Sequence, residues 1–424
     1  MKRFIITILF ALAMLFPVSA EIQAATVFQD LQQDQEYTEY KGRVLSSNRE
    51  RPVGSAQLTV LNTNIATVTN ADGEFSLKVP SNLREAIVRV SYLGFESKNI
   101  ALEYFSEEGT EIFLDPSVEE LSEVSIFQAE DAGKLVRTML SKRGDNYLDQ
   151  NTNMTAFYRE SIRKGRKNVS LSEAVIRIHK KPYSSSRREE IELIKARKTA
   201  DYDRLDTLAL KLRGGPYNAL YVDVMKYPEY VFYIDDISDY SFSFDEPTQI
   251  DGRYLYVVNF EAREKSAPWY FGKLYIDAQS QSLVRAELNL NVDNRSIASR
   301  LFVSKKPGST RVYPIEVKYR IDYQQQDGKW FYGYGSADLT FVVNWKRKLF
   351  NSRYYVHSEM AVTGWKPDPG NVNPRRSDSY IKPTVVMTDD VSGFSDPEFW
   401  GSNNIIEPDK DIQNAIDKIR EQLD

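Results

Sequence analysis

The chain contains no cysteine. That excludes disulfides, cysteine-ligated zinc, a cysteine nucleophile and a lipid-modified N-terminal cysteine. Histidine is almost as scarce, with only His179 and His357 in 424 residues. Neither sits in a His-Glu-x-x-His or His-x-x-Glu spacing, so a zinc hydrolase lacks its ligands and no metal site is expected. The Gly-x-Ser-x-Gly elbow of serine hydrolases and the Gly-x-x-x-x-Gly-Lys-Ser/Thr phosphate loop are also missing. Positive charge is not in excess: the net charge is -5 and the pI about 5.5. No nucleic-acid partner is expected from such a balance. Beyond the N-terminus, no stretch approaches the ~20 apolar residues of a spanning helix.

What is present points to folded bodies outside the cytoplasm. Hydrophobic residues make up 42% and aromatics 12% of the chain, including 26 Tyr and 21 Phe. That is enough for real cores, and the length calls for about two or three domains. The N-terminus reads "MKRF", then "IITILFALAMLF", then "PVSA". A positive start, a short apolar run and small residues make residues 1–24 a signal peptide, cleaved after Ala20 or Ala24, with an uncleaved anchor as the alternative. The expected location is the periplasm or the outer-membrane periphery. An exported chain of this size needs no disulfides if its cores suffice.

Residues 25–38 read as a polar, flexible lead-in. From 39 to 116 short alternating strands follow one another between turns, which predicts a small antiparallel β-sandwich. Within it, "TNADGEFSLKVP" poses a choice. Asn70-Ala71-Asp72-Gly73 could open a calcium loop, but Lys78 and Val79 stand where further ligands belong and no helix flanks it. Asp72-Gly73 is instead a strong turn signal, and Phe75, Leu77 and Val79 alternate as a strand does, so a hairpin is expected. The Pro-Val-Gly turn at 52–54, this Thr-Asn-x-Asp-Gly-x-Phe-x-Leu-x-Val-Pro run and "SYLGFES" resemble the carboxypeptidase regulatory-like domain, a transthyretin-like sandwich. The form resembles that of Bacteroidetes envelope proteins. In zinc carboxypeptidases the related module is an accessory, and the peptidase motifs are absent here.

A linker and helix are expected over 117–153, with Ala132, Leu135, Val136, Met139 and Leu140 at helical spacing and Gly144 as its stop. From 154 to 365 the strand pattern is stronger. Val284, Ala286, Leu288, Leu290 and Val292 alternate with polar residues, as do Ile315, Val317, Tyr319, Ile321 and Tyr323. One packed face and one wet face are implied, in a broad antiparallel sheet. The stretch from "IDGRYLYVVNF" to "GKLYIDAQSQSLVRAEL" is similar to outer-membrane lipoprotein-carrier half-barrels, which implies an open curved sheet that cups a lipid or a peptide. The fold class expected is therefore mainly β: a transthyretin/Ig-like sandwich, then a large antiparallel open half-barrel with short flanking helices. The tail, 366–424, ends in a helix capped by Asp409 with Ile412, Ala415, Ile416, Ile419 and Leu423 in one stripe. Phe399, Trp400 and this stripe are expected to dock on the sheet and close its open side.

Chemistry has few candidates. Asp235, Asp236 and Asp239 lie near Tyr233 and Tyr240, but adjacent aspartates on a strand point to opposite faces and make poor catalytic pairs. No catalytic residue, cofactor site or metal ligand is assigned, and the chain is read as a non-enzyme. Binding has more support. Residues 159–198 hold 13 Lys and Arg against 5 acids, which could meet an anionic membrane surface or could be a solvated strand face. Trp269, Tyr270 and Phe271, and Trp330 and Phe331, are the candidate ligand-binding residues, with cross-strand packing as the plainer account. The expected function is binding of a partner protein of the envelope or an amphiphilic lipid. The alternative is a glycan- or peptide-binding module of a nutrient-uptake system, or an unrecognised hydrolase.

Overall fold

Period-two alternation decides the first body. Phe75, Leu77 and Val79 are all buried, in one cluster with Val44, Leu58, Val60, Val88, Val90 and Ile112. The computed structural model describes residues 36–107, 109–117, 132–200, 215–232, 237–303, 308–346, 349–368, 370, 373–382, 394, 396 and 398–423. The N-terminal 1–24 segment and most of the lead-in lie outside them. Seven strands form the first body: β1 (Tyr37–Ser46), β2 (Gln57–Val60), β3 (Ala66–Val68), β4 (Glu74–Pro80), β5 (Ile87–Ser91), β6 (Lys98–Ala101) and β7 (Thr110–Leu114). They make two sheets, ordered β4-β1-β7 and β3-β2-β5-β6. One pairing departs from the antiparallel expectation, because β1 and β7 run parallel.

The Asn70–Gly73 turn forms, but it is not a hairpin. Gly73 has φ +75°, and Asn70 Oδ1 accepts the amides of Asp72 and Glu74 at 2.9 and 2.8 Å. The strands on either side belong to different sheets, so the turn arches from one layer to the other. The reason is that β4 spends its ladder on β1 from Tyr37 to Arg43. A Cβ at Gly73 would lie 2.5 Å from the Val44 carbonyl, so glycine is required at this arch. The Asp72 carboxylate accepts the Lys410 amide at 3.0 Å.

Helix α1 (Ala132–Ser141) buries Leu135, Val136 and Met139. It ends before Gly144, which lies within a second short helix, α2 (Arg143–Asn146). Three long strands follow: β8 (Thr152–Lys164), β9 (Lys167–Lys180) and β10 (Glu190–Ala200). After α3 (Pro216–Tyr221) come β11 (Tyr240–Ile250), β12 (Arg253–Ala262), β13 (Tyr270–Asp277), β14 (Leu283–Leu290), α4 (Arg295–Phe302), β15 (Thr310–Gln326), β16 (Lys329–Trp345), β17 (Ser352–Pro367) and β18 (Tyr380–Ile381). The eleven strands form one open antiparallel sheet, ordered β11-β12-β13-β14-β15-β16-β17-β8-β9-β10-β18. The chain is mainly β, as its alternation implies.

Register sorts the two faces. One row of cross-strand partners runs Lys198, Ser172, Glu160, Ser358, Ala337, Tyr319, Leu288, Gly272, Phe260, Phe242. The neighbouring row on the opposite face runs Arg197, Glu173, Arg159, Glu359, Ser336, Arg320, Glu287, Lys273. Charges alternate along that second row, which is how a strand face can hold ions where it is covered. Part of the basic charge of 159–198 is paired inside the fold. Arg159 and Arg197 share Glu173, Lys180 pairs with Asp223 and Glu189, and Arg177 pairs with Glu192.

Two expectations change here. A β-bulge between Pro314 and Glu316 shifts the β15 register, so Ile315 leaves the packed face and is exposed. The tail also behaves differently. Asp409 caps α5 (Lys410–Leu423), its Oδ1 accepting the Ile412 amide at 2.8 Å. Ile412 and Ile416 pack on Leu171 and Phe394, and Trp400 meets Phe157 edge-on at 5.4 Å. Phe157 lies on the charged-row face, so the tail covers that face rather than the one bearing Glu160. There it is wedged against the first body: Thr67 Oγ1 donates to the Ile405 carbonyl at 3.0 Å, and Asn404 bonds the Lys78 backbone in both directions.

Candidate functional site

Small side chains in one row leave room above the sheet. Ala337 and Ser358, cross-strand neighbours in the first row, stand where bulky apolar residues would fill the space. The face they lie on is covered by α1, by residues 216–232 and by α4. Between the sheet, residues 216–232 and α4 lies a cavity of about 720 Å³. Leu290, Ala337, Leu339, Tyr319 and Tyr270 form its floor, and Trp269, Tyr221, Tyr230, Ile297, Leu301 and Phe302 its walls. That size suits a small amphiphile, for which ligand sites typically span about 300–1,000 Å³.

The polar lining of the cavity includes Glu160, Ser358, Asn218 and Glu229. The Tyr158 hydroxyl donates to Glu160 Oε2 at 3.0 Å, and Ser358 stands opposite Glu160 on the next strand. Burial raises the Glu160 carboxyl above its ordinary value, while Tyr158 and Lys198 act in the other direction. Burial likewise raises Tyr270, to about 12, and raises Tyr319 well above the ordinary phenol value, so both phenols are neutral at physiological pH. Their rings lie 6.1 Å apart. The arrangement offers a largely apolar surface with hydrogen-bonding groups set into it.

The covering segment is fixed by a buried ionic knot. Asp223 accepts from Lys180 at 2.7 Å, from Tyr323 at 2.8 Å and from Tyr183 at 3.1 Å. Lys226 donates to the carbonyls of Pro182 and Ser185 at 2.7 and 2.6 Å, and burial lowers it to about 8. Tyr240 ties the Val231 carbonyl at 2.9 Å, and Tyr217 bonds across to Ile381 at 3.0 Å. Asp223, Lys180, Glu189 and Lys226 are close ionisable groups, but they lie outside the cavity lining and are bonded to one another or to backbone.

The five sequence candidates separate. Trp269 and Tyr270 line the cavity. Phe271 points away from it into a shallower recess and is 42% exposed. Trp330 and Phe331 are buried and line a small cleft of about 110 Å³ against the first body, with the Arg253 guanidinium 5.1 Å over the Trp330 ring. Asp239 is an exposed turn residue, and Asp235 and Asp236 lie outside the described residues. His179 is buried beside Glu192 at 3.2 Å, and His357 holds Asp338 at 2.7 Å. Among the described residues no three His, Asp or Glu side chains are placed to hold a metal ion. Sequence reasoning passed over Glu160, Tyr221, Tyr230 and α4. The one available sign was Ile297 and Leu301 four apart after Asn294, which caps α4.

The sandwich touches the sheet through its own motif. Tyr92 of "SYLGFES" lies between the guanidiniums of Arg285 and Arg320, at 5.3 and 5.4 Å. Residues 40–126 match the CarboxypepD_reg-like domain family. The CarboxypepD_reg-like domain is thus a minority of the chain, set on the sheet face opposite the cavity. No curated protein matches the chain. Among solved structures, an outer membrane lipoprotein-sorting protein domain from Vibrio parahaemolyticus is similar at 10% identity. It spans 58% of this chain and 96% of that one, with a TM-score of 0.26. A LolA-superfamily protein from Nitrosomonas europaea is similar at 12% identity, over 53% and 92%, with a TM-score of 0.18. MucB in the Pseudomonas aeruginosa MucA/MucB complex is similar at 11% identity, over 57% and 100%, with a TM-score of 0.19. Among the described residues no helix is long and apolar enough to cross a membrane.

Proposed function

We propose that this protein is a non-catalytic, exported binding protein of the bacterial envelope that holds an amphiphilic molecule in the cavity above its large sheet. The carrying observation is the cavity itself: about 720 Å³, walled mainly by aromatic and aliphatic side chains, with Glu160 and Ser358 among its polar groups. The apolar chain would lie along Tyr270, Tyr319 and Leu290, and a polar head would meet Glu160. The ionic knot at Asp223 supports a binding role, since it holds the cavity's cover in place. A signal-peptide reading of residues 1–24 supports export. A glycan platform is less well supported, because Trp330 is buried and the Trp269 wall is apolar.

The test is uptake of a fluorescent fatty acid by the full chain, compared with Ala337→Trp. The indole is expected to occupy the floor and abolish uptake while leaving thermal stability near that of the parent. Undiminished uptake by a folded Ala337→Trp variant, or no uptake by the parent, would remove the cavity as the binding site.

A further inference from the structure

Two neighbouring hairpins bring cations and bare apolar side chains to one end of the sheet. The β8–β9 turn carries Arg163, Lys164, Arg166 and Lys167 within five residues and no acid, and Arg166 and Lys167 are exposed. Because β8 pairs with β17, this turn lies against the start of β17. Lys164 stands opposite Tyr354, and the Gly165 amide donates to the Arg353 carbonyl at 3.2 Å. The β16–β17 connection, 346–351, adds exposed Lys346, and exposed Arg353 follows at the start of β17. Within it Leu349 and Phe350 are 97% and 84% exposed. Arg311, also exposed, stands beside Asn344 on the next strand. An acid facing this end is Asp411 of α5, which pairs with Arg163 at 3.4 Å.

Leucine and phenylalanine left almost fully exposed gain nothing from water. A peptide or nucleic acid could use the cations, but a protruding apolar pair needs a partner soft enough to receive it. A lipid layer receives both parts. Apolar side chains enter the headgroup–acyl boundary, and lysine and arginine meet anionic headgroups. We propose that the 163–167 turn and the neighbouring residues Lys346, Leu349, Phe350 and Arg353 dock the protein on an anionic lipid surface, with Leu349 and Phe350 inserted and Arg166, Lys167, Lys346 and Arg353 on the headgroups.

The same end carries the cavity's exposed rim. Leu301 lines the cavity and is 48% exposed, and the neighbouring Phe302 packs on Phe341 of β16 at 6.0 Å. Glu160 is four residues from Lys164 along β8, about 13 Å at the rise of a strand. Docking would therefore bring the rim to the lipid layer. The surface stands on its own residues, and only this last step rests on the cavity reading.

The experiment is co-flotation of the full chain with phosphatidylglycerol–phosphatidylcholine vesicles and with pure phosphatidylcholine vesicles, at low and high salt. The parent is expected to bind the anionic vesicles preferentially and to release with salt. Leu349→Ser/Phe350→Ser and Arg166→Glu/Lys167→Glu are each expected to lower binding about tenfold or more. Both pairs include exposed side chains only, so melting temperatures should not move. Failure of the parent to bind, equal binding to phosphatidylcholine, or unchanged binding by both variants would overturn the proposal. Fatty-acid uptake without vesicles should be the same in all three chains, so the two readings fail separately.

Discussion

Arg159 donates from Nη2 to the backbone carbonyl of Ile406 at 2.8 Å, while its Nε donates to Glu173 at 2.7 Å. The strand residue is 2% exposed and thereby joins the charged row of the sheet to the tail segment that the sandwich also grips. Arg159→Ala would leave Glu173 buried with Arg197 alone. Removal of one partner from a buried ion pair typically destabilises by about 3–5 kcal/mol. Urea denaturation should show a loss of that order. Limited proteolysis should cut the 399–411 segment faster than in the parent.

Asp223 is the anchor of the cavity's cover, with three side-chain donors on its two oxygens. Asp223→Asn leaves the Lys180 ammonium without one of its two carboxylates. Stability is expected to fall by a few kcal/mol, about 3 as a central figure. Hydrogen exchange of amides in 216–232 should rise more than that of β15 and β16. Equal loss of protection everywhere would mean that the segment unfolds only with the whole domain.

Glu160 gives a pH signature. Burial raises its folded pKa above the unfolded value of about 4.3. The folded form therefore holds more protons between those two values, and stability falls as pH rises through that window. Glu160→Gln should remove this slope and be at least as stable as the parent at neutral pH. Melting curves across pH would show it. A less stable variant at neutral pH would mean that ionised Glu160 is a net stabiliser through Lys198.

His357 has the opposite sign. Partial burial opposes its charge, but the hydrogen bonds of Asp338 and Glu359 outweigh that and lift it to about 10. The stabilisation is complete below the unfolded pKa of about 6.5 and is lost as pH rises through about 10. Proton NMR of the imidazole should follow this titration, and His357→Gln should flatten the alkaline limb of the stability curve. An ordinary titration near neutrality would remove the ion pairs as its cause.

Much of this architecture is legible in the residues themselves. Alternation such as Val284, Ala286, Leu288, Leu290 dictates a sheet with two unlike faces, because successive side chains must point oppositely. Asn70, Asp72 and Gly73 dictate a turn, and Asp409 followed by an isoleucine stripe dictates a capped helix. These are local effects, set within a few residues. What a strand lies beside is not local. Only the tertiary structure put β3 and β4 in different sheets, turned Ile315 outward at a bulge and buried Trp330 against the first body. The cavity belongs to the same class. Ser358 and Ala337 are ordinary small residues on successive strands. Hydrogen-bond register lines them up under Tyr221, Trp269 and Phe302, and the missing side-chain volume becomes a space only once those strands are paired.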